Sequence, residues 1–347
     1  MSWIKLKTAL INSINPIQLN QLFPTFAAMT KIEEVAEDAA EEGVEHKTWK
    51  GRLWGIIKIV LIIAITGGLL YYVFSKVPWA EVKYRLIHAD KAWVFAAVLC
   101  YFCSMLFSSW RLLSFFKSIG LKLDYRFNLR LYFLGMCYNV LLPGGIGGDG
   151  YKIYLLHKRF KLPTKKVFWA ILLDRLSGFW AIGLITVALI ILIPKIDVHF
   201  GIPTGIFVVG TIIYYWVTHR FFKDYSHNFV AAHLKAIGVQ SMQILVIVCL
   251  LIAQSDFHLF VTKTSPYLLS FLISSMAAVI PFSLGGGGVR DAIFLTASKQ
   301  FNIAKDMAVY LSFSFYLISI VVALLGVYYV IRPSRLQEGL PANEEIN

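Results

Sequence analysis

Residues 139–152 read Asn-Val-Leu-Leu-Pro-Gly-Gly-Ile-Gly-Gly-Asp-Gly-Tyr-Lys, and residues 281–291 read Pro-Phe-Ser-Leu-Gly-Gly-Gly-Gly-Val-Arg-Asp. Each is a proline and a crowd of glycines followed by a cation. Pro281 stands 138 residues after Pro143, and the stretches align without a gap: Gly147 and Gly148 with Gly285 and Gly286, Gly150 with Gly288, Lys152 with Arg290. This is an internal repeat. Pro143, Gly144, Gly145, Gly147, Gly148 and Gly150, and in the second copy Pro281, Gly285, Gly286, Gly287 and Gly288, interrupt a helix and bare the backbone amides. A helix that starts after such a break turns its partly positive end toward whatever lies in the gap. With Lys152 and Arg290 alongside, the chemistry on offer is the holding of an anion, such as a lipid phosphate.

Further charges sit deep in apolar sequence. Asp174 and Arg175 fall inside the run 167–194, where an ionised side chain costs on the order of 3 kcal/mol and usually has a partner or a function. Neighbours on a helix point about 100° apart, so the two need not pair with each other. Lys152 is the expected partner of Asp174; Asp149 or the bound anion is that of Arg175. A purely structural network is the other reading. Asn139 and Tyr138, just before the first break, are placed to donate hydrogen bonds. Trp110-Arg111 ends a span, where Arg111 either meets a headgroup or snorkels to the interface. Asp291 balances Arg290 or carries a proton.

Other chemistry is poorly served. Cys100 and Cys103 have CxxC spacing but sit in mid-helix without a second ligand pair, and the histidines are scattered, so no metal, cofactor or catalytic residue is expected. The glycines match GxGxxG but follow no strand and lack the Lys-Ser/Thr of a P-loop.

These residues need a membrane to position them. The 347-residue chain is 58% hydrophobic and only 15% charged, with mean hydropathy +0.66, whereas ordinary domains are roughly 25% charged. The fold class is an all-α polytopic membrane protein. Runs near 53–75, 93–116, 167–194, 203–218, 237–255 and 306–331 suit full spans of about 20 residues; those near 127–142 and 266–284 are shorter and end in the breaks. Residues 78–92, with Trp79 and Trp93, suit an interfacial helix.

The net charge of +13 is spread beside apolar runs, which marks topology and headgroups rather than nucleic acid. The cluster Lys152, Lys158, Arg159, Lys161, Lys165 and Lys166 belongs in the cytoplasm, as do both termini. That is consistent only if the two shorter runs are re-entrant hairpins, entering from opposite faces, as in the inverted repeats of secondary transporters. The domains are then an acidic cytosolic arm over 1–50, a transmembrane domain over 51–335 with repeat halves near 93–200 and 237–332, and a cytosolic tail over 336–347.

Trp110-Arg111, Asn139-Val-Leu-Leu-Pro-Gly-Gly-Ile-Gly-Gly-Asp149, Leu173-Asp-Arg-Leu-Ser-Gly178 and Gly285-Gly-Gly-Gly-Val-Arg-Asp291 together resemble the transmembrane-region family of lysylphosphatidylglycerol synthases. The resemblance covers about residues 53–332 and extends to the N-terminal membrane domain of the multiple peptide resistance factor. It implies a flippase-like domain in a bacterial inner membrane, moving an anionic or aminoacylated phospholipid or a polyprenyl-phosphate-linked lipid between leaflets. Lys152 stands where arginine is expected and Asp291 where glutamate is. The sequence to Asn347 carries no acyltransferase-like domain, so aminoacyl transfer is expected from a separate synthase or glycosyltransferase. The alternative is a membrane-embedded transferase or an accessory subunit of such synthesis. A homo-oligomer is left open.

Overall fold

The computed structural model describes residues 79–141, 147–191, 201–255, 261–278, 287–332 and 335–336. The acidic arm, the span expected at 53–75, both breaks with Pro143, Gly144, Gly145, Pro281, Gly285 and Gly286, and the tail beyond Leu336 lie outside them.

Every element among the described residues is helical. A short helix α1 (Trp79–His88) is followed by Asp90, whose carboxylate caps α2 (Lys91–Ser118) by accepting from the Ala92 amide at 2.8 Å. Then come α3 (Tyr125–Leu141), α4 (Gly147–Phe160), α5 (Thr164–Ile191), α6 (Gly201–Phe221) and the single turn α7 (Lys223–Ser226). The rest is α8 (Phe229–Ile252), α9 (Val261–Ala278), α10 (Gly287–Gln300), α11 (Lys305–Ala323), a 3₁₀ turn and α12 (Val327–Ile331).

Five of these stretches are long and apolar enough to cross a membrane: Lys91–Ser118, Thr164–Ile190, Gly201–Phe221, Phe229–Ile252 and Lys305–Ile331. A 28-residue helix such as α2 is about 42 Å long and clears roughly 30 Å of hydrocarbon. Helices α4 and α10, with 14 residues each, reach only about 21 Å.

α3 and α4 form an antiparallel pair around the first break. Tyr138 lies over Tyr151 with ring centres 4.7 Å apart, and the Gly148 amide donates to Asn139 Oδ1 at 2.8 Å. Gly148 must be glycine, because a Cβ there would run into the Gly135 backbone. α9 and α10 also pack against each other.

The repeat reaches well beyond the breaks. Shifting α2, α3, α4 and α5 by 138 residues puts their starts at 229, 263, 285 and 302; α8, α9, α10 and α11 begin at Phe229, Val261, Gly287 and Lys305. Packing follows suit: α4 lies on α5 as α10 lies on α11, and α2 touches α3 and α5 as α8 touches α9 and α11. Across the halves, α5 meets α8 and α9 just as α11 meets α2 and α3. α4 and α10 are each also followed by a left-handed residue, Lys161 and Asn302, both at φ 51°. α6 stands outside the repeat, with Thr218 as its buried residue.

Helices α2 and α8 form the central contact and run antiparallel. The Asp90 amide donates to the Ala253 carbonyl (2.8 Å) at one end, and Lys235 donates to Ser114 Oγ (2.6 Å) at the other. The main apolar core gathers α2, α8, α9 and α11, with Ala97, Ile247, Phe271 and Leu311 fully buried. Near the start of α2, Arg85 of α1 reaches Asp306 of α11 at 2.6 Å, and its guanidinium donates to Gln254 at 3.3 Å.

Candidate functional site

A cavity of about 340 Å³ lies between α2, α3, α4, α5 and α8. Its wall carries the cations Arg111, Lys152 and Arg175, the carboxylates Asp149 and Asp174, and the amides Asn139, Gln240 and Gln243. Asp174 sits ten residues into α5, about 15 Å from its start, and Arg111 sits seven residues, about 10 Å, before the end of α2. These charges therefore belong to helices long and apolar enough to cross a membrane.

The cluster divides into two parts. Arg111 grips Asp174 with a two-pronged fork, Nε to Oδ1 at 2.8 Å and Nη2 to Oδ2 at 3.0 Å, and both side chains are buried. Charge-assisted bonds of this geometry are among the strongest available to side chains. Gly178, one turn further along α5, makes room for it: a Cβ there would stand 2.9 Å from Arg111 Nη1. The Ser177 hydroxyl donates to the Asp174 carbonyl at 2.7 Å.

The second part joins two cations to one carboxylate. Asp149 accepts from Lys152 Nζ at 3.0 Å, one turn along α4, and from Arg175 Nε at 2.6 Å. Lys152 also lies 4.7 Å above the Tyr132 ring, which favours a cation in a site shielded from water. Arg175 has the more open side chain, 30% exposed against 5% for Lys152. Among the described lining residues three cations face two carboxylates, an excess of one positive charge.

A profile of the family described as Lysylphosphatidylglycerol synthase TM region matches residues 56–326. The chain belongs to that family. A comparison with curated proteins returned no match.

Within this family member the cavity unites Arg111, Asn139, Asp149, Lys152, Asp174 and Arg175, but the expected pairing of Lys152 with Asp174 is wrong. Asp174 turns toward α2, where Arg111 meets it, while Arg175, 100° around the helix, turns toward the start of α4. The carboxylate that Lys152 finds is its own helical neighbour at i−3. Nor is the amino end of α4 left bare for a ligand: Asp149 supplies a carboxylate in its first turn and Asn139 accepts the Gly148 amide. Tyr138 spends its ring on Tyr151.

Arg290 does not line the cavity. Its guanidinium lies 4.3 Å from the centre of the Phe315 ring and 5.4 Å from that of Phe271. Phe315 in turn touches the cavity-lining Tyr101, edge to face at 5.4 Å. Arg290 is thus one aromatic layer behind the wall. The side chain of Asp291 lies outside the described residues.

Sequence reasoning missed Gln240, Gln243, Tyr132 and the packing glycines Gly135 and Gly178. Gln240 and Gln243 carried a signal, since two amides in the middle of the run 237–255 are costly at depth and imply a polar surrounding.

Proposed function

We propose that this protein is a lipid translocase of the bacterial inner membrane, with both termini in the cytoplasm, in which the cavity receives an anionic headgroup while the hydrocarbon tails stay in the bilayer. The observation that carries the reading is the excess positive charge on a wall built at membrane depth, where an uncompensated cation is expensive and tolerated for function. A passive structural network would balance its charges.

The architecture supports alternating access. Helices α3 with α4, and α9 with α10, read as re-entrant hairpins because α4 and α10 are too short to cross. With three full spans (α2, α5 and α6) between the start of α2 and the start of α8, the second half enters from the opposite face. The antiparallel run of α2 and α8 agrees with that inversion, and inverted repeats of this build commonly place substrate sites where the halves meet.

The transferase alternative finds less support. Each carboxylate that would act as base has both oxygens occupied by cations, those of Asp174 by Arg111 and those of Asp149 by Lys152 and Arg175.

The test is scrambling of fluorescent lipids in proteoliposomes holding the full chain. Transfer of anionic lipid above the rate of empty vesicles is expected, and equal rates for every anionic lipid tried would refute the proposal.

A further inference from the structure

The two arginine–carboxylate pairs of the cavity are built differently. Arg111 spends Nε and Nη2 on the two oxygens of Asp174, one each, which is the closed two-pronged form. Arg175 brings the same two nitrogens to a single oxygen, Oδ2 of Asp149, while Oδ1 accepts from Lys152. Among the described residues Arg175 makes no other hydrogen bond or ion pair, so its Nη1 keeps both donors. Its side chain lines the cavity and is 30% exposed, against 8% for that of Arg111.

Lysine at position 152 is what holds that difference in place. An ammonium is a compact point charge on a flexible stem, whereas a guanidinium fork matches both oxygens of a carboxylate at once. The stem of Lys152 crosses α3 at Gly135, where a Cβ would run into its Cε, and the ammonium arrives on Asp149 Oδ1 with the centre of the Tyr132 ring 4.7 Å away. Gly135 and Tyr132 thus fix Lys152, and Lys152 fixes one oxygen of Asp149. Arg175 is left with a partner that it must share.

From this geometry, and resting on the translocase reading for what carries the anion, we infer that Arg175 grips the substrate by exchanging partners, and that Lys152 is a positioning residue which keeps Arg175 open without touching the substrate. In the empty cavity the two cations share Asp149. When an oxyanion arrives, Arg175 turns its planar fork to it and Asp149 stays with Lys152, so each cation ends with one anion. Only hydrogen bonds change hands, and no proton moves. The two partners that the sequence left open for Arg175, Asp149 and the bound anion, are thus taken in turn. Without Lys152 the exchange is disfavoured: Arg175 would close on both oxygens of Asp149, as Arg111 closes on Asp174, and an arriving anion would have to strand that carboxylate away from water.

The experiment reads arginine reactivity in the full chain in detergent micelles, by phenylglyoxal labelling and peptide mass spectrometry, and so needs no transport. Arg175 should react and Arg111 should not. Phosphatidylglycerol doped into the micelles, compared with phosphatidylcholine, should slow the labelling of Arg175 about tenfold, the worth of one charge-assisted hydrogen bond. Inorganic phosphate, set against sodium chloride at equal ionic strength, tells a soluble oxyanion from a lipid-borne one. Lys152→Gln should slow the labelling of Arg175 about tenfold with no anionic lipid present, by the same bond. Tyr132→Leu, which only loosens the ammonium, should slow it roughly two- to fivefold and decides the matter if Lys152→Gln does not fold. Equal labelling of Arg111 and Arg175, an Arg175 rate unmoved by the variant that decides, or a rate unmoved by either oxyanion overturns the inference. Protection and the Lys152 effect without lipid transfer in proteoliposomes would sink the translocase reading and keep the exchange, as would protection by inorganic phosphate alone. Transfer without protection would do the reverse.

Discussion

The Arg111–Asp174 fork can be tested apart from any transport. Both side chains are buried, at 8% and 9% exposure, and two short bonds join them across α2 and α5. Removing one member strands the other charge away from water, which costs about 3–5 kcal/mol in buried pairs, whereas replacing both by apolar groups of similar size is often neutral or stabilising. Asp174→Leu and Arg111→Met should each lower the midpoint of thermal unfolding in detergent, by roughly 6–10 °C at about 2 °C per kcal/mol for a chain of this size. The double variant Arg111→Met with Asp174→Leu should regain most of that loss. Size-exclusion chromatography of heated, fluorescently tagged protein gives the midpoints. The double variant also removes one charge of each sign, so the excess among the described lining residues is kept and transfer of anionic lipid should survive. If the double variant falls by the sum of the two single losses, the pair is not the coupled unit described here, and the charge count at the site must be drawn differently.

Three other outcomes follow from the same geometry. Lys152→Gln leaves Arg175 on Asp149 and cancels the excess charge, so transfer of anionic lipid in proteoliposomes should fall at least tenfold with little change in midpoint, as one pair of the triad survives. Gly148→Ala should abolish recovery of folded protein, since its Cβ would meet the Gly135 backbone and separate α3 from α4; monodisperse protein at wild-type yield would contradict that packing. Exposed Lys158 and Lys299 follow the two breaks, and in a background without the four native cysteines Lys158→Cys should react with an impermeant thiol reagent only from the cytoplasm and Lys299→Cys only from outside. Reaction of both from one side would remove the inverted topology.

Much of the fold was legible because membrane depth leaves few options. A proline and glycines ending a short apolar run predict a broken helix, and the gap-free match of the stretches after Pro143 and Pro281 predicts that the pattern recurs. Helices on both sides of each break then repeat at the same spacing, a regularity that the apolar runs themselves conceal because nearly every residue in them is hydrophobic. The pairing of charges was not legible in the same way. Which carboxylate Lys152 meets depends on the rotation of α5 about its own axis, and that is set by packing: Gly178 admits the Arg111 fork, so Asp174 faces α2 and Arg175 faces α4. Gln240 and Gln243, three residues apart in an apolar run, did signal a polar surrounding, but not which helices would provide it.

The two halves share a backbone plan but differ in chemistry. At the positions equivalent to Arg111, Asp149, Asp174 and Arg175, the second half has Cys249, Gly287, Ser312 and Phe313. Only the cation after the break is kept, as Arg290, and it lies against the rings of Phe271 and Phe315. Each further ionised residue at depth would cost on the order of 3 kcal/mol unless it met a partner or a substrate. A second charged cavity would thus have to justify several such costs, whereas an aromatic one needs none. Symmetry of packing with asymmetry of charge thus leaves, among the described residues, the charged cavity to the first half: on the translocase reading the repeated helices supply two related arrangements around it, while the first half supplies the charge.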